Sequence, residues 1–271
     1  MIKFQKYHAC GNNFIIIEDQ NLTYDEYQKL AIKMCNYNTG IGADGLIIVK
    51  TNPLEMVFYN QDGTRGQMCG NGVRCFGKYV LDNIYPDKEN LLIKTLAGEI
   101  TIDVINKNPI LFRVDMGKPI FDKKTIGVYE EYRLEETILF ENNQYQIYNL
   151  FMGVTHTVVF VDNLEKIVQT KLGEYICYHP MFVDRTNVDF VEIISRNEIK
   201  MKTYERGVGW TLACGTGSCA ALVIGNKYNL LDDSIKVNFE IEQIRLEKQN
   251  ENIILFAKAE RICKGEFLWK K

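Results

Sequence analysis

Two segments of this chain repeat one another, and the repeat limits what the chain can fold into. The first runs from Tyr59 through Asn60 and Asp62-Gly63 to Met68-Cys69-Gly70-Asn71-Gly72. The second runs from Tyr204 through Glu205-Arg206-Gly207 to Ala213-Cys214-Gly215-Thr216-Gly217. Each has a strand-like start, a tyrosine ten residues before a cysteine, a glycine-bearing loop, and then Cys-Gly-x-Gly. A run apolar almost all round follows each, at 73–81 and 218–225, and such a run predicts a buried helix rather than a surface one. Similarity on this scale predicts two related halves, and 271 residues suit two domains at roughly 100–200 residues each.

Short strands are expected around those helices. In the first half the apolar runs and their punctuation place them at 2–6, 14–18, 46–49, 56–59, 91–95, 100–104 and 111–116. In the second half they fall at 144–150, 157–160, 190–194, 199–204, 235–239, 241–246 and 253–259. Residues 24–34 predict an amphipathic helix with Tyr27, Leu30, Ala31 and Met34 on one stripe. Gly117 and Pro119 punctuate the pattern, so the halves are expected at 1–117, completed by a C-terminal strand at about 261–271, and at 118–260. The expected fold class is mixed α/β (α+β), many strands wrapped about one buried helix per half.

Charge narrows the function. Lysine and arginine number 32 against 35 acidic residues, which gives no electrostatic footprint for nucleic acid or an anionic membrane surface. No apolar run approaches the roughly 18 residues of a membrane span, and the opening residues lack a signal-peptide core. The expectation is a cytoplasmic globular protein. Eight cysteines and three histidines form no C-x-x-C pair or His/Cys cluster with zinc spacing, so no metal is expected. Most of the thiols read as small buried core residues. Gly40–Gly45 lacks both the G-x-G-x-x-G spacing and a Walker lysine. A cysteine hydrolase needs only one nucleophile with a histidine, which leaves the second motif unexplained.

Cys-Gly-x-Gly at a helix start has a definite chemistry. The first backbone N–H groups of a helix lack intrahelical acceptors and carry partial positive charge, so they suit a carboxylate or phosphate. Glycine lets that anion approach, and a cysteine at the same place has its thiolate favoured. Two such sites in matching halves suit proton abstraction beside a carboxylate. One thiolate removes the α-hydrogen, the opposite thiol returns a proton to the other face, and the helix N-termini stabilise the charge that develops.

Together with His8-x-x-Gly11-Asn12-x-Phe14, the stretch 38–45, Arg185-x-Asn187 and Tyr204-Glu205-Arg206-Gly207, the two cysteine motifs resemble the diaminopimelate epimerase family. The likeness runs nearly the whole chain. It implies an isomerase, a racemase or epimerase that needs no pyridoxal phosphate or other cofactor. It also implies two pseudo-symmetric halves, each a barrel-like sheet around a central helix, with the active site in the cleft between them. By resemblance Cys69 and Cys214 are the acid/base pair, with His156 and Glu205 beside them. The N–H groups of Gly70, Asn71, Gly215 and Thr216 would hold the α-carboxylate. Asn12, Asn60, Asn187 and Arg206 would hold the far end of a small amino-acid substrate, Arg206 as a charged partner for a second carboxylate. No nucleic-acid or membrane partner is implied, and a homodimer is one assembly open to it.

The chain departs from the family pattern in places. Val154-Thr155 stands where Asn-Pro is usual, Thr64-Arg65 where Ser-Glu is usual, Asn13 where Asp is common and Trp210 where Glu is frequent. Valine cannot donate the hydrogen bond that the asparagine gives to the far end of diaminopimelate. LL-/meso-diaminopimelate, with its place in lysine and peptidoglycan precursor synthesis, is the family default. Another amino acid such as histidine or lanthionine is the alternative, and a catalytically idle binding relative is the remaining one.

Overall fold

The computed structural model describes residues 1–107 and 109–269. The chain divides into two compact units, Met1–Val114 with Ala257–Lys271, and Asp115–Phe256.

The first unit contains β1 (Ile2–Ala9), β2 (Asn12–Glu18), α1 (Tyr24–Cys35), β3 (Gly45–Thr51), β4 (Leu54–Asn60), β5 (Arg65–Gly66), α2 (Gly70–Asn83), β6 (Asn90–Thr95), β7 (Gly98–Lys107) and β8 (Ile110–Asp115). The second contains α3 (Lys123–Ile126), β9 (Glu135–Phe140), β10 (Asn143–Met152), β11 (Val154–Phe160), α4 (Leu164–Val168), α5 (Leu172–Cys177), β12 (Asn187–Ser195), β13 (Glu198–Glu205), β14 (Gly209–Thr211), α6 (Gly215–Lys227), β15 (Ser234–Asn238), β16 (Gln243–Gln249) and β17 (Asn252–Ala257). The chain then returns to the first unit as β18 (Glu260–Phe267), antiparallel to β1.

The two units repeat one strand order. The first runs β18-β1-β2-β3-β4-β6-β7-β8, with β5 folded back onto β4. The second runs β9-β10-β11-β12-β13-β15-β16-β17, with β14 folded back onto β13. Within each, the pairs β2–β3 and β11–β12 are parallel, as are β4–β6 and β13–β15. Parallel neighbours need a crossover. α1 supplies the first in one unit and α4–α5 in the other, while α2 and α6 supply the second. The fold is thus the mixed α/β class expected, sheet-dominated, with two pseudo-symmetric halves.

Amphipathic helix α1 starts on a capping box, Thr23 with Glu26. It buries Tyr27, Leu30, Ala31, Met34 and Cys35 in a cluster with Ile15, Ile17, Leu46 and Ile48. Each large apolar side chain there contributes roughly 1.5–3 kcal/mol on full burial. α2 is covered on nearly every side and packs on β1, β2, β3 and β18; α6 packs on β10, β11, β12 and β16. The N-termini of these two central helices carry the duplicated motif.

Candidate active site

Cys69 and Cys214 occupy the same structural position in their own units. Each is the N-cap of its unit's central helix, in extended conformation, with its sulfur accepting the N–H three residues on: Gly72 at 3.5 Å and Gly217 at 3.4 Å. That cap uses the third N–H of the helix. The first-turn N–H groups of Gly70 and Asn71, and of Gly215 and Thr216, are donors with no intrahelical acceptor. Positively polarised N–H groups therefore stand beside each thiol.

Around Cys69 the structure collects amides and a buried cation. Asn12, the first residue of β2, has its Oδ1 3.7 Å from the thiol and 3.4 Å from Asn71 Nδ2. Asp44 fixes Asn12 by accepting from its Nδ2 at 2.8 Å, and accepts from Asn13 as well. Arg74 is 1% exposed, and its guanidinium donates to Asn71 Oδ1, the Gly70 carbonyl and Cys10 Sγ. The first turn of α2 is thereby braced from below. Asn60 donates to Thr64 Oγ1 at 2.9 Å.

Around Cys214 the arrangement is different. His156 on β11 is fully buried, with Nδ1 2.7 Å from Asp189 Oδ2 and Nε2 3.0 Å from Thr216 Oγ1. Thr216 Oγ1 in turn lies 3.4 Å from Cys214 Sγ. Asp189 on β12 is fully buried too, and its second oxygen accepts from Thr203 Oγ1 at 2.8 Å. Glu205 ends β13 and accepts from Thr211 Oγ1 at 2.9 Å. Burial pushes the Cys214 thiol well above its ordinary range, and the charges of Glu205 and Asp189 push it further; hydrogen bonds from Thr216 and Gly217 oppose them. Donor atoms of His156, Asp189 and Cys214 lie within 4.8 Å of one another. A soft divalent ion could be held there only by breaking the hydrogen bonds just described.

The remaining expected substrate ligands gather at the end of β13. Asn187 is buried, and its Oδ1 accepts the Arg206 N–H at 3.0 Å. The Arg206 guanidinium donates to the carbonyl and carboxylate of Asp184, both at 2.9 Å.

Two of the departures from the family pattern prove to be structural. Thr155 is buried and donates to the Ile126 carbonyl at 2.7 Å. Trp210 packs tilted on Phe190 and edge-on to Tyr204, in the hydrophobic cluster of the second unit. Val154 follows Gly153, whose position approaches the Thr216 methyl, so this departure borders the Cys214 side. Arg65 is exposed, on β5.

Sequence reasoning did not single out Asp189, Asp44 or a role for Arg74. For Asp189 a signal existed. Val188-Asp189-Phe190-Val191 sets one acid inside an apolar run that is buried on both faces, and a buried acid needs partners. Reading the strand as starting at Phe190 cut that acid off.

A helix-cap thiol thus stands at the same place in each half of a duplicated α/β scaffold. The diaminopimelate epimerase family profile matches residues 4–121 and 148–260, and the chain belongs to that family of isomerases. It is 37% identical over 276 residues to a diaminopimelate epimerase of Alkaliphilus metalliredigens, covering 98% of each chain. With the diaminopimelate epimerase of Clostridium perfringens it shares 37% over 275 residues, covering 99% of this chain and 100% of the other. Its fold is similar to a probable proline racemase from Agrobacterium radiobacter K84, with a TM-score of 0.69 at 13% identity, covering 100% of this chain and 94% of that one.

Proposed function

We propose that this chain epimerises diaminopimelate, with Cys69 and Cys214 as the two acid/base residues. The observation that carries the reading is the duplicated cap: in each unit a thiol sits at the N-terminus of a buried helix, beside first-turn N–H groups suited to a carboxylate. One thiolate takes the α-hydrogen while the other thiol protonates the opposite face. Negative charge that builds on the substrate carboxylate is met by the helix N–H groups of Gly70, Asn71, Gly215 and Thr216. His156 and Glu205 set the protonation of Cys214. Asn12, Asn60, Asn187 and Arg206 bind the distal amino-acid head, Arg206 exchanging Asp184 for the second carboxylate. Neither step calls for an electron sink beyond the carboxylate, and we expect the enzyme to work without pyridoxal phosphate in the cytoplasm, where thiols stay reduced.

One observation favours a second reading. Val154, next in sequence to Gly153 at the Thr216 methyl, replaces a hydrogen-bonding asparagine, and a site built around a polar group discriminates against its loss. A single-headed amino acid such as histidine is then the substrate, with the chemistry at the thiols unchanged. The experiment is α-hydrogen exchange by NMR in heavy water under reducing conditions, with LL-diaminopimelate, lanthionine and single-centre amino acids. Exchange confined to diaminopimelate supports the first reading, and exchange confined to a one-headed amino acid supports the second. No exchange with any of them makes the chain an idle relative.

A further inference from the structure

Cys214 is a difficult acid to ionise. It is buried, and the charged groups that face it are the carboxylates of Glu205 on β13 and Asp189 on β12, with His156 on β11 behind Thr216. Its proton needs somewhere to go when the site is closed to water, and the bonding pattern supplies a route with a fixed direction. A carboxylate can only accept. Asp189 accepts from Thr203 on one oxygen, and on the other it takes Nδ1–H of His156. In the neutral tautomer that this bond selects, the imidazole has its lone pair on Nε2, facing Thr216 Oγ1. The threonine hydroxyl must then donate to Nε2, and its own lone pair is turned to the Cys214 S–H. With Cys214 as the thiol and His156 neutral, one consistent pattern runs every hydrogen from sulfur towards Asp189; with Cys214 as the thiolate, the Thr216 hydroxyl turns to it instead.

We propose that Thr216 and His156 form a proton relay for Cys214, and that Asp189 is its positioning residue. The inference rests on reading Cys214 as an acid/base group. On ionisation the S–H bond of Cys214 breaks and an O–H bond forms at Thr216, whose original proton passes to His156 Nε2. Thiolate, neutral hydroxyl and imidazolium result, the imidazolium held against the Asp189 carboxylate. The reverse transfer restores the thiol. Asp189 touches neither sulfur nor substrate in this scheme and acts through the tautomer and charge of His156.

The backbone is arranged to keep this acid in place. His156 pairs with Asn187 across the parallel β11–β12 ladder, so Asp189, two residues on, shares the same face. Thr203 is directly opposite Asp189 on β13. A Cβ at Gly217 would lie 2.0 Å from Asp189 Oδ1, so only glycine lets the carboxylate reach under the first turn of α6. A buried carboxylate and imidazole are costly unless fully bonded, and all four of their contacting polar atoms here are engaged.

The sign of one shift separates the relay from a bare charge effect. Cys214 is alkylated with iodoacetamide across pH in a Cys69→Ser background, and its labelling is followed by peptide mass mapping, which resolves it from the exposed Cys263. If Asp189 were only a nearby negative charge, Asp189→Asn would make the thiolate easier to form and lower the labelling midpoint. The relay predicts the opposite: the midpoint rises by roughly half a pH unit or more, because the imidazolium loses its counter-charge. Thr216→Val raises it as well, and Thr216→Ser brings it back. An unchanged or lowered midpoint in Asp189→Asn overturns the relay. If that variant does not fold, an unchanged midpoint in Thr216→Val does so instead. Labelling is independent of turnover. Shifts as predicted in a protein that exchanges no α-hydrogen would defeat the proposed function and leave the relay standing. Turnover without the shifts would do the reverse.

Discussion

The two units use one backbone plan and fill the floor beneath the thiol with opposite chemistry. In the first unit Phe14 pairs with Gly45, and Ile47, two residues on, faces Phe58. At the same register positions in the second unit, His156 pairs with Asn187 and Asp189 faces Thr203. Ile47 lies under Gly72 as Asp189 lies under Gly217. One thiol rests on an apolar floor, the other on a bonded acid and imidazole. The first-unit cation also has no polar counterpart, because Arg74, five residues after Cys69, corresponds to Cys219, five after Cys214. The frame is shared, and the layer under each helix is filled with different residues.

The largest expected effect tests whether both halves are needed at all. Cys69→Ser and Cys214→Ser should each lower turnover about a thousandfold or more while the circular dichroism spectrum stays native. If one variant keeps near-normal epimerisation, the two thiols are not partners and the comparison loses its functional meaning.

Moving the acid is the next test. Ile47→Asp puts a carboxylate at a fully buried position whose ladder partners are Ile16 and Phe58. Urea unfolding should show a loss of about 3–5 kcal/mol, the size of an uncompensated buried charge. A loss under about 1 kcal/mol would mean the apolar floor tolerates charge, and its contrast with Asp189 would be overdrawn.

Glycine separates the floors at smaller cost. Gly217→Ala would drive a methyl into Asp189 Oδ1 and should destabilise by about 1–3 kcal/mol. At Gly72 the new methyl meets Cys69 Cβ at 3.4 Å and Ile47 Cδ1 at 3.5 Å, ordinary contacts. Gly72→Ala should change stability by less than about 1 kcal/mol, in the stabilising direction. Equal losses in thermal unfolding would contradict the geometry.

The last contrast is graded with pH and is small near neutrality. Cys35 ends α1 and Cys177 ends α5, the helices of the equivalent crossovers. Burial, with the Asp44 charge, pushes Cys35 up to about 12. Burial raises Cys177 as well, opposed by the Thr186 N–H and the charges of Arg185 and Arg206. The native state keeps the Cys35 proton that the unfolded chain gives up above about pH 8.5. Its contribution is therefore complete below that pH and falls as pH rises towards about 12, by about 1.4 kcal/mol per pH unit. Cys35→Ala should flatten the alkaline loss of urea stability more than Cys177→Ala does. A steeper slope in Cys35→Ala would reverse the assignment.

Much of this was legible in the sequence. The seven strands expected in each half all form, because their apolar runs suit a buried sheet, and the helices at 24–34, 73–81 and 218–225 form where their patterns place them. What went unread shares a cause. Strands β2, β11 and β12 begin at Asn12, Val154 and Asn187, earlier than expected from their apolar runs at 14, 157 and 190. Asn, His and Asp at those starts look like turn punctuation. In the fold they are ladder residues, and the site is made of them. β9, β14 and the short helices α3, α4 and α5 also escaped notice, being too short or too polar to carry a period.

By itself the sequence determined the duplication, the two helix-cap thiols, the family and the kind of reaction, because these rest on local spacing and on residue types with few other uses. Tertiary structure alone decided which side chains lie under each thiol. Asp189 and Ile47 reach their places through parallel crossovers that bring distant segments side by side, and no local pattern records what a residue will face across a ladder. The same holds for Trp210 and Thr155: as sequence they look like changes in a substrate pocket, and the packing buries Thr155 and seats Trp210 against the core cluster.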